Sequence, residues 1–396
     1  MRKALSLCDS KARFAKRAVL FGIFLVALFL GKLSPIFLCA QDLVWETEGV
    51  VFSDPTIRNV EVIPLPAQAG LLDTQYRMFF DQGGEIKSAL SSDGRSFTIE
   101  DGVRVPGTMP AIVKLPDGSW RIYFASPSGE TSPAEGGASF AANIIKSAVS
   151  TDGLSWTIEE GTRLLPGGEF DPDNIVHPSV ISRPEGGYRM YYDGEVRRSE
   201  QDFTRRILSA TSSDGVTWTK DPGVRINVGE GPLYADLVWG AHAEYYALTQ
   251  TYQLYFSASR RNATEPNEGG TFPSGSAIYS ATSQDGLLFT VSPEPELALA
   301  EESGEPFVLN FPETKRMYYW VNGSGIYSAV LKEPRPLSRE KGLGNKLKDL
   351  WEKMLALPQE INLQLPQNLE LYIVPTILLV IGLGAVIYLW RARLRR

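Results

Sequence analysis

One eleven-residue phrase occurs four times along the chain and constrains its fold more than any other feature. The copies are SALSSDGRSFT (88–98), SAVSTDGLSWT (147–157), SATSSDGVTWT (209–219) and SATSQDGLLFT (280–290). A fifth start, SAVLKEP (328–334), stops before the Asp-Gly pair and the aromatic residue. The first serines of successive copies are 59, 62, 71 and 48 residues apart. A period near 50 residues with β-type patterning is typical of a β-propeller, whose blades have four strands each.

Each unit repeats the same order of segments. An apolar segment such as AIVKL (111–115) precedes a tight turn, and an aromatic segment such as RIYFAS (121–126) follows it. The serine phrase supplies a third segment and its turn, and the aromatic residue begins a fourth. Because β-branched and aromatic residues alternate with Gly, Pro and Asp punctuation, the pattern predicts four strands per unit.

The N-terminal segment DLVWETEGVVF (42–52) supplies what the fifth copy lacks. It aligns with DGLSWTIEEGTRL (152–164) through an Asp, an aromatic residue, a Glu-Gly pair and a β-branched run. We expect this segment to be the outer strand of the last blade, which leaves no open sheet edge. The sequence therefore predicts an all-β, five-bladed β-propeller over residues 41–332, closed by its N-terminal strand.

The Asp-Gly turn in each phrase is predicted to be structural. Its Asp can accept backbone N–H hydrogen bonds, its Gly can adopt a positive φ, and the aromatic ring can pack between blades. Four outward-facing copies do not suit a catalytic motif. The turn aspartates are Asp93, Asp152, Asp214 and Asp285.

The segments that flank the propeller predict a membrane protein. Residues 1–40 place basic residues before AVLFGIFLVALFLG (18–31), as in a signal peptide or an uncleaved signal anchor. Residues 333–370 are predicted to be a stalk with an amphipathic helix, lying on the membrane surface or packed against the propeller. The uncharged run 371–390 would span roughly 30 Å as a transmembrane helix. The basic tail 391–396 should stay cytoplasmic, which places the propeller on the extracytoplasmic side.

Composition excludes several kinds of partner. Both cysteines precede residue 41, so removal of the signal segment would leave no thiol for disulfides or Cys-ligated metals. Residues 41–332 carry 39 acidic and 22 basic residues, a net charge of −17. Such a surface repels phosphate backbones, so we expect no nucleic acid and a neutral or cationic ligand instead. We also expect no cofactor. We interpret EFDPDN (169–174) as a solvated acidic loop rather than a calcium site, and expect no metal.

Repeated SxDGxxW turns beside strands such as RMYYDG (189–194) resemble the five-bladed propeller glycosidases, the superfamily of arabinanases, invertases and levansucrases. The phrase is also similar to the Asp-box turns of sialidases, which have one more residue between Asp and Gly and six blades. The resemblance covers residues 42–332. It implies a carbohydrate site at the central funnel, where the innermost strands begin, and hydrolysis by a pair of carboxyl groups.

Alignment of the first strands predicts the side chains at that funnel. We interpret four residues as catalytic carboxyl groups: Asp54, Glu61, Asp236 and Glu305. We interpret six further residues as ligand-binding: Asn59, Asp81, His177, Asp193, Tyr234 and Asn322. Met109 holds the equivalent position in blade two. The segments 127–143, 194–206 and 259–275 are predicted to be long loops on the same face. His242 is expected in a turn far from the funnel, and the arginines at 197, 198, 205 and 206 in exposed ion pairs.

The site departs from the glycosidase pattern, which has an Asp in blade one, an Asp in a following blade and a Glu acid further on. Asp54 matches the first Asp, but Met109 cannot titrate and Glu305 lies in blade five. The sequence leaves three functions open. The first is a membrane-anchored glycoside hydrolase-like propeller that acts on or recognises glycans. The others are a non-catalytic glycan- or protein-binding propeller of a cell-envelope complex and a structural scaffold.

Overall fold

The computed structural model describes residues 43–65, 75–133, 139–198, 203–229, 235–259, 275–299, 303–311 and 314–332. These residues form β-strands and turns without a helix, so none of them makes an apolar helix that could cross a membrane. The predicted signal segment (1–40), stalk (333–370), transmembrane helix (371–390) and basic tail (391–396) lie outside the described residues.

The described residues contain 21 strands. The first nine are β1 (Val44–Phe52), β2 (Arg58–Pro64), β3 (Tyr76–Gln82), β4 (Glu85–Ser91), β5 (Thr98–Pro106), β6 (Thr108–Lys114), β7 (Trp120–Pro133), β8 (Ser139–Ser150) and β9 (Thr157–Ile158). The next six are β10 (Asn174–Ser182), β11 (Tyr188–Arg197), β12 (Phe203–Ser212), β13 (Thr219–Lys220), β14 (Leu237–Tyr246) and β15 (Thr251–Ser259). The last six are β16 (Ser276–Ser283), β17 (Thr290–Val291), β18 (Leu297–Leu299), β19 (Ser303–Asn310), β20 (Lys315–Val321) and β21 (Gly325–Lys332).

Neighbouring strands pair in the order that the repeat predicts. Strands β2 to β5 form one four-stranded sheet, β6 to β9 a second, and β1-β21-β20-β19 a third. Strands β10 to β18 form a nine-stranded sheet, in which one parallel pair, Arg205 with Leu237, joins two antiparallel runs. The first strands of these runs contact each other in a ring, β2 to β6, β6 to β10, β10 to β14, β14 to β19 and β19 to β2. This all-β arrangement is consistent with a β-propeller fold.

The N-terminal strand pairs with the last strand, as the alignment predicts. Strand β1 runs antiparallel to β21, with Val44 opposite Lys332. Glu48 accepts hydrogen bonds from Arg316 and Ser328. Glu159, which like Glu48 stands three residues after a Trp, does the same with Arg121 and Ser147. The predicted equivalence of segments 42–52 and 152–164 is thus confirmed at the level of side-chain contacts.

The Asp-Gly turns adopt the predicted structure. Asp93 Oδ1 accepts the N–H groups of Arg95 and Ser96, both at 2.8 Å, and Gly94 has a φ of 66°. The same pair of bonds forms at Asp152, Asp214 and Asp285. The turn aromatics pack edge-on against a neighbouring antiparallel run, as with Trp156 on Phe79, Trp218 on Tyr123 and Phe289 on Tyr191. The core therefore lies between the sheets.

Each turn is also held by polar side chains of the sheet it packs against. Arg121 Nη1 donates to the Asp214 carbonyl at 3.0 Å, and the Tyr123 hydroxyl donates to the Gly215 carbonyl at 2.8 Å. Corresponding bonds join Arg77 to Asp152, Arg189 and Tyr191 to Asp285 and Gly286, and Arg316 and Tyr318 to Asp93 and Gly94. These contacts link successive antiparallel runs, including the last and the first.

Two of the segments predicted as long loops are largely strand. Strand β7 extends to Pro133 and pairs with β8 from Ser139 onward, and β11 extends to Arg197 opposite Phe203 of β12. The loop prediction was wrong for these parts because the backbone groups of both arms of each hairpin bond to each other. Residues 260–274 of the third segment lie outside the described residues.

Candidate functional site

A shared bulge shapes the first strand of each run. At one position in β2, β6, β10, β14 and β19 the backbone is left-handed, and the strand shifts register against its partner there. The residues at this position are Asn59, Met109, His177, Gly240 and Glu305, with φ between 48° and 62°. A bulge with left-handed backbone redirects a side chain, and here it turns one residue of each strand toward a common pocket.

The alignment from sequence finds four of these five positions. In β14 the equivalent residue is Gly240, not Tyr234 or Asp236. An X-Pro pair marks the position at Met109, His177 and Glu305, whereas Ala241 follows Gly240. The residues predicted for this strand, Tyr234 and Asp236, precede β14, which begins at Leu237.

The pocket lies at the centre of this ring and has a volume of about 40 Å³. Of the predicted site residues, Asn59, Glu61, His177 and Glu305 line it, together with Met109 and Gly240. Asp81 and Asp193 are buried and bond to lining residues. Asp54 and the exposed Asp236 and Asn322 do not belong to the lining. Asp54 instead accepts hydrogen bonds from Thr56, which lower its pKa. Tyr234 lies outside the described residues.

Asp81 fixes one wall of the pocket. Its Oδ2 accepts the Asn59 side-chain amide at 2.6 Å and the Met109 N–H at 2.9 Å. Burial raises the pKa of Asp81 to about 6, although both hydrogen bonds oppose the rise. Because the Asn59 amide nitrogen faces a carboxylate at neutral pH, its Oδ1 is left as a buried acceptor without a protein partner among the described residues.

A histidine between two carboxylates forms the opposite wall. His177 Nδ1 lies 2.8 Å from Asp193 Oδ2, and its Nε2 lies 3.4 Å from Glu305 Oε1. Burial would lower the pKa of His177, but Asp193 and Glu305 raise it to about 9. Burial would raise the pKa of Glu305, but His177 with more distant arginines holds it below its usual value. The pair is therefore an imidazolium beside a carboxylate at neutral pH.

Glu61 supplies a carboxyl group in the opposite protonation state. Its Oε1 accepts the Ile112 N–H at 2.7 Å. Burial raises the pKa of Glu61 to about 8, although that hydrogen bond opposes the rise, so the group is mostly protonated at neutral pH. The pocket thus holds one neutral and one ionised carboxyl group.

His242 is part of the pocket, and its predicted place in a distant turn was wrong. It lies in β14, two residues after Gly240, and its ring contacts Phe307 edge-on at 4.4 Å. Burial lowers the pKa of His242 to about 4, so it is neutral. The sequence interpretation assigned the segment WGAHAEYY to a long turn, whereas it belongs to β14.

The predicted exposed ion pairs are also partly wrong. Glu195 is fully buried, and Arg197 and Arg205 both bond to its carboxylate, which lowers its pKa to about 2 against the effect of burial. Asp171, predicted in a solvated loop, is 1% exposed and bonds to Lys220 and Tyr192. Both acids are interior because a positively charged or hydroxyl partner accompanies each of them. Within the described residues, no group of three or more His, Cys, Asp or Glu could hold a metal ion.

No known family and no curated protein matches the sequence. Solved structures do share its fold. A putative glycosidase from Bacteroides thetaiotaomicron VPI-5482 has a TM-score of 0.53 at 15% identity, over 72% of this chain and 89% of that one. The endo-arabinase from the same organism has a TM-score of 0.50 at 14% identity, over 72% and 98%. A structure from the GH130 family of mannoside phosphorylases, which contains glycoside hydrolases that target β-1,2 mannosidic linkages in Candida mannan, has a TM-score of 0.52 at 14% identity, over 74% and 95%. The chain therefore has the fold of glycoside hydrolase-like proteins.

Proposed function

We propose that the chain is a glycoside hydrolase-like propeller that binds a carbohydrate at the central pocket. One observation carries the proposal: Glu61 and Glu305 line the same pocket, and their surroundings shift their pKa values in opposite directions. Glycoside hydrolysis needs a proton donor and an ionised carboxylate on either side of the bond. Environments that separate the pKa values of two carboxyl groups are how such roles are assigned. Glu61 is the proposed acid and Glu305 the proposed base or nucleophile.

A second candidate, glycan binding without turnover, is favoured by a specific observation. Two of the ring positions carry Met109 and Gly240, which cannot titrate, and the Glu305 carboxylate already faces the His177 imidazolium. A carboxylate that is held by a cation binds sugar hydroxyl groups but is a weaker base.

Hydrolysis assays on the full chain distinguish the two. Arabinan, β-mannan and rhamnogalacturonan oligosaccharides would be tested for release of reducing ends, and for binding by calorimetry. We expect turnover that falls at least 100-fold in Glu305→Gln and Glu61→Gln, since a positioned acid or base contributes about 10²–10⁴-fold. Because Glu61 must be protonated, kcat/KM should fall as pH rises through about 8.

Asp54→Asn is the matched control, because Asp54 lies outside the pocket lining. Its activity should equal that of the unmodified chain. Binding without turnover would establish the second candidate, and neither binding nor turnover would reject both.

The architecture and location belong to the same proposal. The ring of contacts among β2, β6, β10, β14 and β19 supports five blades. The uncharged run 371–390 followed by RARLRR supports a single membrane span with the propeller on the extracytoplasmic side. Protease accessibility of the propeller in intact cells tests this orientation.

A further inference from the structure

A line of buried charged groups leads from the interior to the pocket. Asp193 is 0% exposed and accepts hydrogen bonds from His177 Nδ1 at 2.8 Å and from the Gly240 N–H at 3.0 Å. The other ring nitrogen of His177 faces Glu305. We propose that Asp193 is a positioning residue which, through His177, orients the Glu305 carboxylate.

Asp193 is itself held in place. Besides the bonds to His177 and Gly240, Arg205 Nε lies 4.0 Å from its Oδ2. Arg205 is fixed in turn by Glu195, which also bonds to Arg197. A buried carboxylate with this many partners has a single orientation available, so the imidazole ring that it contacts is fixed as well.

The bond to Asp193 decides which proton faces the pocket. With Nδ1–H donated to Asp193, Nε2 is the nitrogen that faces the pocket, 3.4 Å from Glu305 Oε1, in the same way that a second carboxylate orients a metal-bound or catalytic histidine. Gly240 completes the arrangement, because a Cβ there would lie 3.2 Å from Glu305 Cα and Cγ. Because Gly240 has no side chain, the Glu305 side chain can extend across β14 towards His177 on β10.

Other charged groups face this line. Asp81 interacts electrostatically with both His177 and Glu305, and Arg58 and Arg205 act on Glu305. Asp193 remains the only carboxylate among the described residues that hydrogen bonds to His177 at 2.8 Å. Removal of its charge should therefore have the largest effect on the imidazolium.

The role of Glu305 towards a sugar rests on the proposed function, but the protonation of His177 can be tested without it. Because the chain has only two histidines, 15N-histidine labelling of the full chain gives two ring systems, and His242→Gln assigns them. In the unmodified chain we expect His177 to titrate near pH 9 with both nitrogens protonated below it. In Asp193→Asn, we expect its proton affinity to fall at least tenfold. Binding or turnover of the best oligosaccharide should fall about 10–100-fold, as for other residues that orient a functional histidine.

Asp171→Asn is the control, since Asp171 is equally buried but bonds to Lys220 and Tyr192 outside the pocket. It should leave the His177 titration unchanged. An ordinary titration of His177 near pH 6.5 in the unmodified chain would overturn the proposal even if Asp193→Asn does not fold. So would a normal sugar response in an Asp193→Asn variant whose His177 titration has moved. If His177 behaves as expected and no sugar binds, the proposed function fails and the control of His177 by Asp193 stands.

Discussion

At the scale of single residues, the pocket depends on backbone conformations that most side chains avoid. Asn59, Met109, His177 and Glu305 are all left-handed without being glycine. Each such residue costs on the order of 1–3 kcal/mol unless its surroundings enforce the conformation. Here the neighbouring strand enforces it: the Met109 N–H bonds to Asp81 and the Glu305 N–H to Ser257. The strain is kept where the side chains converge.

Gly240→Ala tests whether the missing side chain at the fourth position makes room for Glu305. The added Cβ would meet Glu305 Cα and Cγ at 3.2 Å, so the Glu305 residue must shift from the position in which it faces His177. We expect oligosaccharide binding to fall at least tenfold and the free energy of unfolding to fall by about 1 kcal/mol from the positive φ. Calorimetry and urea unfolding measure the two effects.

Gly118→Ala separates strain from displacement. Gly118 also has a positive φ, of 89°, but nothing lies within 4 Å of a Cβ built there. It should lose similar stability and keep full binding. Equal binding in both variants would show that Glu305 does not need the space at Gly240.

Residue chemistry explains how much of the site could be predicted from the sequence. Asn59, His177 and Glu305 were found because repeated strands bring equivalent positions to one axis. Gly240 and His242 were missed because a glycine offers no chemistry to align and because the first strand of this run was sought at Tyr234 and Asp236, before β14 begins at Leu237. The bonds of Arg197 and Arg205 to Glu195 depend on β11 and β12 lying side by side, which residue types alone do not reveal.

At the scale of structural elements, the repeated Asp-Gly turn does more than connect two strands, because it also binds side chains of the neighbouring run. Its Asp carbonyl accepts a hydrogen bond from an arginine of the adjacent run, and in three of the four copies its Gly carbonyl accepts one from a tyrosine, as with Arg121 and Tyr123. The fifth copy has no Asp-Gly turn, and Gln253 stands where the other sheets have that arginine. The repeat could be recognised from the sequence because most units contain both the Asp-Gly turn and the arginine that binds the turn of a neighbouring unit.

Tyr123→Phe measures one such contact. The hydroxyl bonds to the Gly215 carbonyl in a buried position, and its loss leaves that carbonyl unpaired. We expect the free energy of unfolding to fall by about 1–3 kcal/mol. Urea unfolding of the full chain, followed by circular dichroism, measures the change.

Tyr245→Phe is the control for that experiment. Tyr245 is half-buried against Tyr252, and within the described part of the chain its hydroxyl has no hydrogen bond. The change should stay within about 0.5 kcal/mol. Similar losses in both variants would mean that the bond to Gly215 does not stabilise the turn.

At the scale of the whole molecule, the two ends of the domain share one sheet. Strand β1 lies beside β21, and Arg316 and Tyr318 of the same sheet bond to the first Asp-Gly turn. The first and last segments of the domain therefore stabilise each other. Such closure was predictable because Trp45 and Glu48 stand at the spacing of Trp156 and Glu159.

Trp45→Ala tests whether this closure makes the domain cooperative. Trp45 is 8% exposed and packs edge-on against Tyr255 of β15, with ring centroids 6.1 Å apart. Loss of a buried Trp side chain costs about 3–5 kcal/mol. If β1 closes the ring, the whole domain should lose this stability in a single urea transition with an unchanged m-value. Leu43→Ala, at a residue that is 51% exposed, should change it by less than about 0.5 kcal/mol. A separate early transition in Trp45→Ala would show that β1 detaches by itself and that the sheets hold together without it.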